Sequence, residues 1–212
     1  MSLAHETNHT IKKYKQKAFT LKLDLSKGYE RVIWTSVRLL MIKIGVALEV
    51  VEWTMGCLQS TSFAVIINGS ASYFFRPTRG LRQGCPLSPF LFLLVAKALS
   101  RIIHKAKSDG AIKGIKVSAT EEVTHTLFVD DVLMFGEGSF RNLEAFLALI
   151  DKYSRATGMV VNVEKSNLIH NEFPEELLQS SKELIQYKTS SIEEGFNYLG
   201  LTLKPNCYCF KD

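Results

Sequence analysis

Three aspartates have the side-chain types and positions needed for phosphoryl-transfer chemistry. Asp24 lies near the end of a segment that alternates apolar and polar residues, and Asp130 and Asp131 separate two apolar runs. If the fold brings them together, these carboxylates repel one another unless a cation lies among them. Oxygen ligands without His or Cys in the same motifs favour Mg²⁺. Two such ions, about 3.5–4 Å apart, hold the attacking and leaving oxygens of a phosphoryl displacement. The three acids therefore fit nucleotidyl transfer to a 3′-hydroxyl.

Each piece of this pattern also has a plain structural interpretation. An Asp-Asp pair at a hairpin tip usually reflects turn preference. Asp24 alone is a charge on the polar face of a half-buried strand, where a charge is expected. Residues 80–84, Gly-Leu-Arg-Gln-Gly, fit an ordinary surface loop. Only the order and combination of the three pieces indicates a catalytic site.

The elements that must position these acids predict an α+β fold. Residues 19–25 alternate strictly and predict a half-buried strand. Residues 123–128 and 132–135 predict a tight hairpin with both acids at its tip. The other predicted elements are helices at 32–44, 50–58, 88–107 and 140–153, a hairpin at 63–75 around Asn68-Gly69, strands at 159–163 and 198–203, and a helix from Pro174.

This order of elements predicts an antiparallel sheet with helices packed on one face, a variant of the split βαβ (ferredoxin-like) plan. In such a sheet the end of the first strand and the tip of the acidic hairpin are neighbours, although 106 residues separate Asp24 from Asp130. We interpret Tyr73, Phe74 and Phe75 as core and sheet edge rather than as a base-stacking platform.

Composition and charge narrow the class of protein. Of the 212 residues 46% are hydrophobic and 22% charged, which excludes a wholly disordered or collagenous chain. The net charge of +5 divides unevenly, since residues 1–117 hold 18 basic and 6 acidic side chains and residues 118–212 hold 8 and 15. The basic half predicts contact with a polyanion. We find no signal peptide or membrane-spanning segment, so we expect an intracellular protein of the nucleus or cytoplasm.

The four cysteines, at positions 57, 85, 207 and 209, do not have the spacing of a zinc knuckle or a redox pair. We expect free thiols.

Five segments carry motifs that occur together, in this order, in one polymerase family. Residues 23–32 (LDLSKGYERV) are close to LDLSKAYDRV, and 80–92 (GLRQGCPLSPFLF) contain RQGxPLSP. Residues 128–131 (FVDD) match (Y/F)xDD, residues 157–166 (TGMVVNVEKS) approach SGLxxNxxKS, and residues 198–200 read YLG. Together they resemble the palm domain of reverse transcriptases from plant LINE-like, non-LTR retrotransposons. The resemblance implies RNA-directed DNA polymerase activity, with dNTPs, an RNA template and a DNA primer as partners and no membrane.

The resemblance also implies roles for individual residues in the first motif and the acidic box. Asp24 and Asp130 would bind two Mg²⁺ ions, with Mn²⁺ as a possible substitute. Asp131 would complete the acidic cluster, and the Leu25 carbonyl would be a further metal ligand. Tyr29 would be the aromatic gate that leaves no room for a ribose 2′-hydroxyl.

Four more residues are assigned by the later motifs. Arg82, Gln83 and Gly84 would line the incoming nucleotide and template, with donors from the side chains and close backbone approach at the glycine. Lys165 would approach the triphosphate and help protonate the leaving pyrophosphate. From local sequence alone, a solvated lysine after a strand explains Lys165 equally well.

The resemblance sets the expected domain limits and leaves rivals open. Residues 1–203 are expected to be a palm with fingers and thumb largely missing, and residues 204–212 a C-terminal tail. Gly28 replaces the usual alanine of the first motif. One alternative is an inactive remnant that at most binds nucleic acid. Another is a palm-like nucleotidyl cyclase, which would lack the RQGxPLSP loop and the tyrosine gate.

Overall fold

The computed structural model describes residues 2–204, so Cys207, Cys209 and almost all of the expected tail at 204–212 lie outside the described residues. In chain order the helices are α1 (Ser2–Lys13), α2 (Gly28–Arg31), α3 (Trp34–Lys43), α4 (Leu48–Gln59), α5 (Ser88–Ser108), α6 (Phe140–Thr157) and α7 (Glu175–Leu184). The strands are β1 (Ala18–Ser26), β2 (Ile66–Ile67), β3 (Ser70–Ala71), β4 (Ile115–Lys116), β5 (Glu122–Val123), β6 (His125–Phe128), β7 (Asp131–Glu137), β8 (Val160–Val161), β9 (Asn167–Asn171), β10 (Lys188–Ser191), β11 (Phe196–Tyr198) and β12 (Leu201–Leu203).

The described residues group into two compact units. The first comprises residues 2–26, 100–151 and 161–204, and the second comprises residues 27–99 and 152–160. The single palm domain at 1–203 remains a prediction. Within residues 2–204 we find no helix with the length and apolar character that crossing a bilayer requires.

The main sheet of the first unit has the strand order β10-β9-β1-β7-β6, with β8 as its sixth strand. The pairs β9–β1, β1–β7 and β7–β6 are antiparallel, whereas β10 runs parallel to β9. Strand β1 is therefore central, which explains why both of its faces are largely buried. The predicted α+β class is confirmed, but the sheet is mixed rather than wholly antiparallel, because β10 runs parallel to β9. The helices are also not confined to one face, since α6 and α1 contribute to opposite faces.

The alternation predicted for residues 19–25 determines what each face of β1 contacts. Phe19 lies on one face, and its ring meets the ring of Phe146 in α6 edge-to-face at 5.4 Å. Thr20 faces the other way, paired with Phe135 and Ile169 on the neighbouring strands. That second face carries a buried apolar cluster to which α1 and the β11–β12 hairpin contribute; its buried members are Ala4, Ile11, Ala18, Ile115, Val123, Leu133, Phe135, Ile169, Ile192, Phe196, Tyr198 and Leu203.

The second unit is built mainly of helices. Helices α3 and α4 pack on each other and bury Val37 and Val51 completely. The buried hydroxyl of Tyr153 donates to the carbonyl oxygen of Val95 at 3.3 Å. Gly158 ends α6 with a φ of +80°, as the glycine signal predicts.

Several sequence predictions need correction. Strand β9 and helix α1 were not predicted, and residues 198–203 form a hairpin with a turn at 199–200 rather than one strand. The predicted strand at 159–163 shrinks to Val160–Val161. Asn-rich ends mark β9 only weakly as a strand, and the His, Thr and Asn residues of α1 are indifferent helix formers. In both cases tertiary burial outweighs local preference.

The interpretation of the aromatic residues from Tyr73 to Phe75 as core was wrong. The exposed fraction of its side chains is 97% for Tyr73, 78% for Phe74 and 50% for Phe75. These residues are therefore not core, although the hairpin around Asn68-Gly69 is present as predicted.

Candidate active site

The first unit brings four predicted site residues to one end of its sheet. The antiparallel pairing of β1 with β7 places Asp24 directly opposite Asp131. Residues directly opposite in such a pair project to the same face, with Cβ atoms about 4.5–5.5 Å apart. One residue further on, the Leu25 amide donates to the carbonyl oxygen of Asp130 at 3.2 Å. The tertiary structure thus joins two motifs that are more than 100 residues apart in sequence.

The acidic turn differs in detail from the prediction. Phe128 pairs with Asp131, so the two-residue turn is Val129–Asp130, and Asp131 is the first residue of β7 rather than part of the tip. Val129 has a φ of +55°. This is the left-handed region, which a β-branched side chain rarely adopts. A strained valine therefore holds the turn that presents Asp130 to solvent.

The charges at this end of the sheet affect Asp131 most clearly. Partial burial is the main cause that raises the pKa of its carboxyl above the ordinary value. The ammonium of Lys22 opposes that rise, and the carboxylates of Asp130 and Asp24 add to it. Lys22 lies on the same face of β1 as Asp24, two residues earlier. The site is therefore an acidic cluster that one lysine only partly offsets.

A short turn after β8 holds the backbone of Asp24. The amide of Asn162 donates to the Asp24 carbonyl oxygen at 2.8 Å, and the Asp24 amide donates to the hydroxyl oxygen of Ser166 at 3.2 Å. The turn is closed by the Ser166 amide, which donates to the Asn162 carbonyl oxygen at 3.0 Å. The Asn162 side chain also accepts from the amide of Glu164 at 3.2 Å. Asn162 and Ser166 therefore position Asp24.

Lys165 lies in the same turn and is exposed. It lines a polar cavity of about 340 Å³ to which Lys22 and Lys188 also contribute, together with Glu164 and Glu194. Three ammonium groups around one cavity favour a phosphate-bearing ligand. A role of Lys165 at the triphosphate stays a prediction.

In the second unit, Tyr29 is held by an aromatic stack. Its ring lies against that of Phe92, with centroids 4.6 Å apart and planes inclined by 7°. A Cβ atom on Gly28 would approach the Phe92 ring to 2.9 Å. The glycine that replaces the usual alanine at position 28 therefore leaves room for the ring that supports Tyr29.

The Gly80–Gly84 loop is fixed to the backbone beside Tyr29. The Leu81 amide donates to the Tyr29 carbonyl oxygen at 2.6 Å. Gly80 has a φ of +91°, and a Cβ atom there would meet the Glu30 carbonyl oxygen at 2.7 Å, so no other residue fits. The order of motifs alone did not predict this anchoring.

The predicted nucleotide-binding residues line two cavities of the second unit. Tyr29, Gln83 and Gly84 share an open, largely apolar cavity of about 480 Å³. Arg82 instead lines a cavity of about 180 Å³ with Arg79. The structure therefore brings Tyr29 together with Gln83 and Gly84, while Arg82 lines the neighbouring depression.

Within residues 2–204, no group of three or more His, Cys, Asp or Glu side chains is arranged to hold a metal ion by itself. The paired carboxylates of Asp24 and Asp131 are the nearest approach to a ligand set at this end of the sheet. Mg²⁺ typically takes one or two carboxylates and completes its shell with water and substrate phosphates. The donors present fit such an open site better than a closed protein cage.

Sequence reasoning overlooked the residues that support the site. Lys22, Lys188, Asn162, Ser166 and Phe92 were not singled out. For Lys22 a signal existed, since the alternation of β1 puts it on the face of Asp24. Asn162, Ser166 and Phe92 lie within the motif segments 157–166 and 80–92, but only the structure shows their contacts.

Comparison with known proteins agrees with these observations. The family model described as "Reverse transcriptase (RNA-dependent DNA polymerase)" matches residues 1–203. The chain is 26% identical, over 167 residues, to the retrovirus-related Pol polyprotein from type-1 retrotransposable element R2 of Popillia japonica, covering 78% of this chain and 23% of that one. An uncharacterized mitochondrial protein of Arabidopsis thaliana is 46% identical over 67 residues, which are 31% of this chain and 55% of the relative.

Among solved structures, a similar fold occurs in telomerase from Candida tropicalis, described in complex with a fragment of telomeric RNA. The TM-score is 0.63 at 15% identity, and the match covers 96% of this chain and 31% of the telomerase chain. The chain thus spans about half the length of one curated relative and about a quarter of another.

Proposed function

The chain belongs to the reverse transcriptase (RNA-dependent DNA polymerase) family, as a domain of the kind found in non-LTR retrotransposons, and on that premise we propose that it extends a DNA primer with dNTPs opposite an RNA template. The observation that carries the proposal is the pairing of Asp24 with Asp131 beside the Asp130 turn. Because this reaction needs RNA and dNTPs, we propose a nuclear or cytoplasmic location.

Divalent metal ions are generally used in this family. We propose two Mg²⁺ ions here, with Mn²⁺ as a substitute, held by Asp24, Asp130 and Asp131 and by the Leu25 carbonyl. When bound, the ions supply charge neutralisation at the attacking and leaving oxygens. The pairing of Asp24 with Asp131 supports the assignment, because it brings carboxylates of two motifs to one end of the sheet.

The chain's own residues orient the reactants. The hydrogen bonds from Asn162 to Asp24, and from Asp24 to Ser166, fix the backbone beside the reacting groups. Such positioning lowers the entropic cost of bringing a primer and a nucleotide together. Lys165, supported by Lys22 and Lys188 around one cavity, would hold a proton near the leaving pyrophosphate.

Tyr29 would select the sugar. A flat ring beneath C2′ of the sugar would exclude an extra hydroxyl by steric contact. The parallel stack on Phe92 holds the Tyr29 ring in place. Gln83 and Gly84 line the same cavity, where glycine permits close approach of a ligand to the backbone. Arg82 would contact a phosphate or the template.

Primer extension tests the proposal directly. The purified chain, with Mg²⁺, dNTPs and a primed RNA template, should extend the primer, and Asp130→Asn and Asp24→Asn should each abolish extension. Asp109→Asn is the matched control, because Asp109 is an exposed carboxylate that pairs with Lys105 beyond the end of α5. Extension that survives both catalytic substitutions would overturn the assignment.

A second candidate function is favoured by the charge of the second unit, which holds ten basic and three acidic side chains. The chain would then bind nucleic acid without extending it. Salt-dependent binding of a primed template, with no extension by the unsubstituted chain, would select this alternative.

A further inference from the structure

The hairpin at residues 63–75 of the second unit has an irregular second strand. Asn68 and Gly69 both have positive φ, +50° and +81°, as a tight two-residue hairpin turn requires. Ile66 pairs with Ala71, and Phe63 exchanges two backbone hydrogen bonds with Phe75, at 2.9 and 2.8 Å. Between these two pairs the first strand has two residues and the second has three. One extra residue in one strand is a β-bulge.

The hairpin is exposed on both faces, since the neighbouring residues Ile66 and Ile67 are exposed at 76% and 61%, and the bulge interrupts the alternation of side chains on its second strand. In a regular strand Tyr73 and Phe74 would point to opposite faces. At a bulge two neighbouring residues oppose one residue of the partner strand, so the alternation is interrupted. Tyr73 and Phe74 are both more than three-quarters exposed, and Phe75 follows at 50%. Single exposed apolar residues are common, but a contiguous aromatic run on a protein surface marks an interaction site.

The charges beside this run favour a polyanion as the occupant. No Asp or Glu occurs between Glu52 and Asp109, whereas Arg76 directly follows the aromatic residues and Arg79 and Arg82 come within the next six positions. All three arginines are exposed. In the described part of the chain none of them forms an ion pair. Their guanidinium groups therefore remain available to phosphates.

We propose that Tyr73, Phe74 and Arg76, here named the bulge surface, bind unpaired RNA by stacking bases on the two rings and placing a phosphate against the guanidinium. Aromatic rings beside basic groups bind single strands in this way, and every base presents a π-face. The inference rests on the proposed function, because the RNA strand would be template that has not yet been copied. It adds a binding surface in a segment that no motif marked.

Binding of a short labelled RNA oligonucleotide to the full chain, followed by fluorescence anisotropy without Mg²⁺ or dNTPs, tests the inference. The double variant Tyr73→Ala/Phe74→Ala should weaken binding by at least about 25-fold, because each of the two lost base stacks contributes about 5-fold or more. Both side chains are highly exposed, so the variant should fold, and a melting curve checks this. Ile66→Ala/Ile67→Ala is the matched control, because these residues are exposed at 76% and 61% on the same hairpin but have no ring. This control should bind as the unsubstituted chain does.

Two further comparisons separate stacking from charge. An abasic strand of the same length should bind the unsubstituted chain and the aromatic double variant equally, since it offers no base to stack. Arg76→Ala should reduce the slope of log affinity against log salt by about 0.7, whereas the aromatic variant should leave the slope unchanged.

Three outcomes would overturn the inference. The aromatic variant could bind RNA like the unsubstituted chain, or lose equal affinity for the abasic strand. The chain could instead form a dimer that the aromatic variant disperses with no change in RNA affinity, which would make a second copy the occupant. A chain that binds RNA through these rings but never extends a primer would support the inference and contradict only the proposed activity.

Discussion

Asp131 is the residue whose electrostatics the fold changes most clearly within the acidic cluster. It begins β7 opposite Asp24 and is partly buried, so its ionised form loses hydration and lies near two other carboxylates. Lys22 offsets this only in part. A site that destabilises the ionised form of one of its carboxyl groups in this way is suited to bind a cation. It should also leave a signature in the pH dependence of stability.

Asp131→Asn should stabilise the protein at pH 7 in metal-free buffer. Because the folded state raises the pKa of this carboxyl, folding favours the protonated form, and stability falls as the pH rises from the ordinary value of 3.8 through the folded pKa. The amide removes that loss. Since the group is partly solvated, the gain should be at most about 1 kcal/mol.

Urea unfolding at pH 7 and at pH 3.5 measures this effect. The stability difference between Asp131→Asn and the unsubstituted chain should be present at pH 7 and small at pH 3.5. Asp109→Asn, at an exposed ion pair, should show no such gain. A stabilisation of equal size at both pH values would contradict the electrostatic origin.

Val129 is the second unusual residue of the site, because its backbone has a positive φ that valine rarely adopts. Val129→Gly should raise the free energy of unfolding by about 0.5–1 kcal/mol, because relief of a positive-φ strain of about 1–3 kcal/mol exceeds the entropic cost of glycine. The side chain is 51% exposed, so little burial is lost. Val163→Gly is the control, since Val163 is similarly exposed but has no positive φ. Thermal unfolding should show opposite signs for the two variants, and a shared loss of stability would refute the strain argument.

At the scale of elements, the turn between β8 and β9 holds the end of β1 in position through hydrogen bonds. Strand β1 already pairs with β7 and β9 over most of its length. At Asp24 the β9 pairing has ended, and the turn of Asn162 and Ser166 supplies the hydrogen bonds instead. The functional end of the strand is therefore held by the β7 ladder on one side and by the turn and the Ser166 side chain on the other.

Ser166→Ala should destabilise the protein by about 1–2 kcal/mol, because the Asp24 amide loses its acceptor at a site that is almost fully buried. Primer extension should fall as well, since the backbone beside the reacting carboxylate is no longer fixed. Ser118→Ala is the matched control, as its hydroxyl accepts from the exposed amide of Glu121. Equal effects of the two substitutions on stability and on extension would contradict the proposed role of Ser166 in positioning Asp24.

At the scale of the whole molecule, basic charge is concentrated in the second unit. The second unit has a net charge of +7, from ten basic and three acidic side chains, and the first has −2, from 15 and 17. Lysines of the first unit are often paired, as Lys105 is with Asp109 at 2.7 Å and Lys113 with Glu137 at 3.3 Å. Binding of a polyanion should therefore depend mainly on the second unit.

Two triple variants with the same change in charge test this distribution. Arg76→Gln/Arg79→Gln/Arg82→Gln should lower the slope of log affinity for unpaired RNA against log salt by up to about 2, since each phosphate contact on a single strand contributes about 0.7. Lys105→Gln/Lys107→Gln/Lys113→Gln should change it little, because these lysines are already paired with carboxylates. Equal slopes for the two variants would show that net charge alone governs binding.

The sequence by itself determined the local features of this protein. Alternation over residues 19–25 identified a strand with Asp24 on its polar face, Asn68-Gly69 identified a hairpin, and the order of five motifs identified the family. These signals are local because strand periodicity, turn geometry and motif spacing are properties of short segments.

Only the tertiary structure decided which distant residues meet. The register that sets Asp24 opposite Asp131, and the hydrogen bonds from the turn of Asn162 and Ser166, depend on pairing between segments more than 100 residues apart. The exposure of Tyr73 likewise depends on how the hairpin packs in the folded chain, since Ile66 and Ile67 of the regular part are exposed as well. Local patterns cannot specify these contacts, because register and burial result from the packing of the whole chain rather than from any one segment.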